Sequence, residues 1–207
     1  MPRQEDEDGF TLVELIIAIL IIGVITVPLG NVVIGYLHNA DATTARLLES
    51  HDVQITSAYW AQDVASVGTR STTNPYPLIQ SVETGVTYSS SLFPCGTTGT
   101  TPIVTLAWDD FTGPGASTLD RVAYLVETVS GQTQLHRLRC NGSPAVVSDV
   151  TVAHDLSTSA APTVACSTSC TAAPAVPTTV TLTLTLMDPN NTDGPYVVPL
   201  TGQRRQS

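Results

Sequence analysis

The sequence contains no lysine. Its eight basic residues are all arginine, lie scattered, and are outnumbered by 18 acids, which gives a formal charge of −10 over 207 residues. Binding phosphates across a broad surface needs clustered cations, so a nucleic-acid interface of that kind is excluded. Charged residues of either sign are only 13% of the chain and aromatics 5%. Thr, Ser, Val, Ala, Pro and Gly dominate after residue 68, the composition of an exported β-rich domain rather than a cytosolic helical enzyme. Catalytic constellations are missing too. His38, His51, His136 and His154 show no HExxH spacing, and there is no GxSxG element or Cys–His signature. Asp109 and Asp110 read as solvated acids at a strand end. The expectation is a protein that is not an enzyme and takes no cofactor.

Cysteine is scarce: Cys95, Cys140, Cys166 and Cys170, all in the second part of the chain. An even count in a segment that looks exported suggests two disulfides, and four cysteines allow three pairings among which sequence does not choose. The pairing expected here is Cys166 with Cys170 and Cys95 with Cys140. Cys166 and Cys170 have an acceptable spacing for zinc, but no second close pair of Cys or His completes a tetrahedral site, so no metal is expected. Asp188, Asn190, Asn191 and Asp193 offer oxygen donors without the EF-hand order and read as a hairpin turn ending at Gly194. The sequons at Asn141 and Asn190 likewise read as turn chemistry.

One long apolar run is present. It follows a polar start, MPRQEDEDG, and contains a single acid, Glu14. A secretory signal ends its apolar region with small residues for cleavage, and no Ala-x-Ala element closes this one, so the segment should stay in the mature protein. From residue 10 to 33 the chain makes about 36 Å of helix, enough for a hydrocarbon core of roughly 30 Å. Pro28 removes a backbone hydrogen bond and, with Gly23, Gly30 and Gly35 nearby, marks a place able to kink. Beyond it, Leu37, Ala40, Leu47, Leu48, Ile55, Tyr59, Val64 and Val67 recur at helical spacing, with Asp41, Arg46, Glu49, Asp52, Gln62 and Asp63 elsewhere. That pattern predicts an amphipathic helix over 36–68, stopped by Gly68.

After Gly68 the pattern changes to turns and strands. Strands are expected over 103–108, 121–129, 134–140 and 145–152, with a hairpin through Ser130 and Gly131. The clearest alternation is Val180, Leu182, Leu184 and Leu186 on one face against three threonines on the other. A last strand carries Pro199, which assigns it to a sheet edge. Residues 157–179, rich in Ala, Ser, Thr and Pro, read as a surface loop stapled by Cys166 and Cys170.

An ionised acid inside a membrane helix costs a few kcal/mol, roughly, so Glu14 needs a partner, a task, or a place near the interface. Gly9-Phe10-Thr11-Leu12-Val13-Glu14-Leu15 resembles the processing site of type IV prepilins and type II secretion pseudopilins. The resemblance implies that a prepilin peptidase cuts after Gly9, that the new N-terminal residue Phe10 is methylated, and that Glu14 is the family's glutamate at the fifth mature position. The released α-amine at Phe10 is largely cationic at neutral pH, and Glu14 of a neighbouring subunit is its expected counter-charge in the assembled filament. Two departures stand out. The residues before Gly9 are acidic where the family usually has Lys or Arg, and Pro28 lies earlier than the common family proline. The leader holds one Arg and four acids, net −3, so its removal changes the formal charge from −10 to −7.

The resemblance implies a pilin-like α+β fold, with a long N-terminal helix, half transmembrane and half amphipathic, packed on an antiparallel β-sheet domain. The expected organisation is a leader over 1–9, a transmembrane and filament-core helix over 10–35, an amphipathic helix over 36–68, and a β-rich domain over 69–207. "RVAYLVETVSGQTQLHRLRC", "SAYWAQDVASV" with Asp63, and "TGQRRQS" are similar to J-type minor pseudopilins and W-type minor pilins. The implied role is a minor subunit that helps initiate or cap a filament. The alternatives are a major subunit forming the shaft and a single-pass anchored exoprotein, such as an adhesin. Implied partners are other pilin subunits, the peptidase, the membrane assembly platform, and lipid before assembly. The implied location is the cytoplasmic membrane, N-terminus inside and bulk exported, and then a cell-surface filament.

Overall fold

The computed structural model describes residues 11–113, 116–171, 176–187 and 194–206. Two compact units divide at Thr44 and Ala45. One helix, α1, runs Leu12–Ser66 and continues through Pro28. Its N-terminal part is exposed throughout and is long and apolar enough to cross a membrane.

Among the described residues, ten strands follow: β1 Thr69–Arg70, β2 Leu78–Ile79, β3 Val82–Thr84, β4 Val104–Gly113, β5 Ala116–Val129, β6 Gln132–Asn141, β7 Val146–Ala153, β8 Thr163–Cys166, β9 Thr179–Leu186 and β10 Tyr196–Gln203. They form antiparallel sheets of order β3-β4-β5-β6-β7, β10-β9-β8 and β1-β2. The fold is therefore α+β and pilin-like. The tight β5–β6 hairpin places Ser130 and Gly131 at φ 52° and 85°, the paired positive values that a two-residue turn matched to strand twist requires. Pro199 lies in β10, at the edge of its sheet, where a missing N–H costs no ladder bond.

The alternation in β9 holds: Val180, Leu182, Leu184 and Leu186 are buried in a core shared with Trp60 and Val64 of α1, Leu106, Val122, Tyr124 and Leu135 of the larger sheet, and Leu200 of β10. Close approach sets one residue identity here. A Cβ on Gly202 would sit 2.5 Å from the Val64 Cβ, so β10 can pass the helix only as glycine.

Three sequence expectations need correction. Leu37, Leu47 and Leu48 are not on the buried face of the helix; they are 55%, 66% and 61% exposed. Of the expected stripe, Val64 and Val67 are buried and Ile55 and Tyr59 pack against the core, but the buried face also carries Asp52, Thr56, Trp60 and Asp63, so two acids assigned to the polar side are inside. Each has partners that offset its loss of hydration, which hydropathy periodicity cannot register. Second, residues 157–179 are not all loop, because β8 pairs with β9 from Thr163 to Cys166. Third, Asp109 is no loose strand-end acid: it lies within β4, and its Oδ2 accepts the Arg70 backbone N–H at 2.7 Å.

Candidate functional site

At the start of α1 the chain satisfies its own unpaired backbone donors. Thr11 Oγ1 accepts the Glu14 backbone N–H at 3.3 Å, and Glu14 Oε2 accepts the Thr11 N–H at 3.4 Å and the Thr11 hydroxyl at 3.2 Å. With Leu12 the first helical residue, this is a reciprocal capping box, Thr at the cap and Glu three residues on. The carboxylate also meets the positive end of the helix dipole. The Thr-x-x-Glu signature before an apolar run was readable in the sequence, and the reading of Glu14 as an acid awaiting a partner passed over it. Gly9 and Phe10 lie outside the described residues, as do residues 188–193 of the turn considered for calcium. Along the same helix the Thr26 hydroxyl donates to the Ile22 carbonyl at 2.6 Å, just before Pro28.

At the other end of α1 a second carboxylate is fully enclosed. Asp63 takes a bidentate contact from Arg137 of β6, Nε to Oδ2 at 2.7 Å and Nη2 to Oδ1 at 2.6 Å, and its Oδ2 also accepts the Tyr124 hydroxyl at 2.7 Å. Tyr124 and Arg137 are cross-strand partners in β5 and β6, so the sheet itself sets the spacing of the two donors. Trp60 meets the Tyr124 ring edge-on at 5.2 Å, and its indole N–H donates to the Val180 carbonyl at 3.2 Å. The Arg137 guanidinium lies over the Tyr59 ring at 4.7 Å. Burial, then the adjoining Asp63 charge and hydrogen bond, hold the Tyr124 phenol well above its ordinary range. Burial works against the Arg137 charge, but Asp63 outweighs it and raises that guanidinium further. The sequence pattern presented these residues separately; their convergence is a tertiary fact.

Asp52 performs a smaller version of the same task. It accepts the His154 backbone N–H at 2.7 Å and lies 3.1 Å from His154 Nδ1, next to Thr56, whose hydroxyl donates to Val152 O at 2.6 Å. The two acids and Thr56 fasten the helix to the end of β7 and the middle of β6.

Both expected disulfides are present. Cys95–Cys140 spans Cα atoms 5.7 Å apart and pins the 85–103 segment on the outer face of the larger sheet, over Ala123, Leu125 and Leu138. Cys166–Cys170, with Cα atoms 5.4 Å apart, closes a short ring after β8. Among the described residues, no group of three or more His, Cys, Asp or Glu is placed to hold a metal ion.

Residues 6–30 match the family model of the prokaryotic N-terminal methylation motif. They are the type IV prepilin and pseudopilin signal. The match covers Gly9, Phe10, Thr11, Glu14 and Pro28, so the capping box lies within the prepilin signal. That signal, followed by an apolar helix able to span a bilayer, fits a membrane-anchored precursor, and it implies assembly with other pilins and handling by the prepilin peptidase. No curated protein matches the chain.

Proposed function

We propose that the protein is a minor subunit of a type IV pilus or pseudopilus, which enters the filament after the peptidase cuts between Gly9 and Phe10 and which helps initiate or cap assembly. The prepilin signal joined to a continuous helix carries the reading. Phe10 is the methylation site in this account. Its new α-amine pairs with Glu14 of a neighbouring subunit once both leave water, and each charge is tolerable in an apolar filament core only when so paired. Register follows from the pairing, because a subunit shifted along the fibre would strand both charges.

Exposed apolar residues from Leu12 to Leu37 support this role, since so large an uncovered surface needs lipid first and sister helices afterwards. The subtype rests on the similarity of the β5–β6 hairpin and the α1 terminus to minor subunits, and abundance tests it: a shaft subunit would dominate sheared filaments. Mechanism is tested with two variants in the native assembly system. Gly9→Ala should abolish cleavage and filament entry. Glu14→Ala should be cleaved normally yet be lost from filaments by roughly tenfold or more, the size of one desolvated charge contact. Normal processing of the first variant, or wild-type incorporation of the second, defeats the account.

A further inference from the structure

The outer face of the larger sheet carries a cation without a partner. Arg121 of β5 is 8% exposed, and its Nε and Nη1 are buried with no protein partner among the described residues. Burial holds this guanidinium below its ordinary range, and Asp120 and Tyr88 offset only part of that effect. The carboxylates of the same face are engaged elsewhere. Glu83 accepts the Ser91 hydroxyl at 2.5 Å and the Leu92 N–H at 3.0 Å, Asp109 accepts the Arg70 N–H, and Asp149 Oδ1 lies 2.9 Å from His136 Nδ1. Glu127 stands three rows further along β5. A buried charge left unsatisfied costs stability, so its retention needs a reason.

The residue directly opposite Arg121 on β6 is Cys140, which brings their Cβ atoms to about 5 Å. The β5–β6 hairpin alone fixes this pairing, whereas Cys95 reaches the site only when the 85–103 segment docks. Pro144 O lies 3.2 Å from Cys140 Sγ and Leu138 O 3.8 Å from Cys95 Sγ, so the main chain sets acceptors, not donors, against the two sulfurs. A thiolate is favoured by a neighbouring cation, and Cys140 has one built beside it.

We propose that Arg121 is the counter-ion of the Cys140 thiolate and makes Cys140 the nucleophile that begins closure of the Cys95–Cys140 bond with a disulfide-bearing oxidant. Cys140 Sγ gives its proton to water and attacks one sulfur of the oxidant, and the other sulfur leaves as a thiolate with the electron pair of the broken bond. The Cys95 thiolate then attacks Cys140 Sγ in the mixed disulfide and expels the oxidant's remaining sulfur. The two protein thiols lose two electrons and the oxidant's disulfide gains them. Both sulfurs are buried once joined, so the first attack precedes docking of the 85–103 segment. Closure removes the negative charge, which leaves the guanidinium with the unpaired donors seen here. The site is independent of the N-terminal signal, and its test does not depend on filament assembly.

The full-length protein is held in micelles as two variants, Cys95→Ala and Cys140→Ala, each with one free thiol and the Cys166–Cys170 bond intact. The rate of mixed-disulfide formation with glutathione disulfide is measured against pH and mapped by mass spectrometry. Cys140 should titrate below the ordinary thiol value of about 8.5, and below Cys95. Adding Arg121→Gln to Cys95→Ala should lower the Cys140 ionisation constant roughly tenfold. Its reaction at neutral pH should slow only about threefold, because a more basic thiolate is a better nucleophile. Arg121→Lys should keep most of the wild-type profile, which a loss of packing alone would not explain. The comparison of Cys140 with Cys95 leaves Arg121 in place, so it stands even if Arg121→Gln unfolds. The proposal is overturned if Cys95 titrates at or below Cys140, if Arg121→Gln leaves the profile unmoved, or if Cys140 reacts only after the chain is unfolded.

Discussion

Glu14 and Asp63 lie on one helix and meet opposite fates. Asp63, 2% exposed, is saturated from within the chain by Arg137 and Tyr124, donors 74 and 61 residues away in sequence. Among the described residues, Glu14 bonds only Thr11, three residues before it, and everything around it is exposed. A carboxylate whose partners are distant and internal holds a fold together. One whose only partner is a local cap retains bonding capacity for another molecule. The comparison predicts a clean separation of phenotypes. Asp63→Ala leaves the Arg137 charge buried beside Tyr124 and should cost about 3–5 kcal/mol of domain stability, seen as a large drop in the melting temperature of the full chain in micelles. Glu14→Ala should leave that melting transition in place. An Asp63→Ala protein that melts like wild type would collapse the distinction.

The glycines sharpen the same contrast at smaller magnitude. A Cβ on Gly202 meets three Val64 atoms within 3 Å, whereas one on Gly23, Gly30 or Gly35 meets nothing within 4 Å. Gly202→Ala should therefore destabilise the domain by about 1–3 kcal/mol through overpacking. Gly23→Ala should favour the isolated helix by up to about 1 kcal/mol, so any defect it causes must arise in assembly. Chemical denaturation of each variant, read by near-ultraviolet dichroism, separates the two; equal losses would mean that the N-terminal glycines already support the free subunit.

How much of this was legible in the sequence follows the same division. Local patterns came through: the four-residue alternation of β9, the Ser130–Gly131 turn, Pro199 at an edge, and the N-terminal methylation motif over residues 6–30. Each is decided by neighbours in sequence or by one residue's covalent geometry. The buried face of the helix was misread because its identity depends on partners in other elements. Asp52 and Asp63 are inside only since His154 and Arg137 arrive there, while Leu47 and Leu48, apolar at the right spacing, find nothing in the domain to cover them. Strand β8 was missed for a related reason, since a four-residue segment becomes a strand through pairing with β9 and not through its own composition. At the candidate site, the motif singled out Glu14 but not its present partner Thr11, although the capping signature is local and could have been found.

That overlooked partner gives the smallest and most specific prediction. Replacing a capping Thr by Ala typically costs about 1 kcal/mol, and in Thr11→Ala that loss should stay in the first turn, because Thr11 is remote along α1 from Asp52 and Asp63, which bond the domain. Amide exchange of residues 12 to 15, measured in micelles, should accelerate by roughly fivefold, the equivalent of that cost, with the melting transition unmoved. The variant also withdraws one of the two donors that hold Glu14 Oε2 to its own chain. If capping and pairing with a neighbouring amine compete for this carboxylate, loss of the hydroxyl should leave filament entry far less impaired than Glu14→Ala does, since the charge itself remains. Thr11→Ala as defective as Glu14→Ala would instead mean that the hydroxyl, and not the carboxylate alone, forms the intersubunit contact.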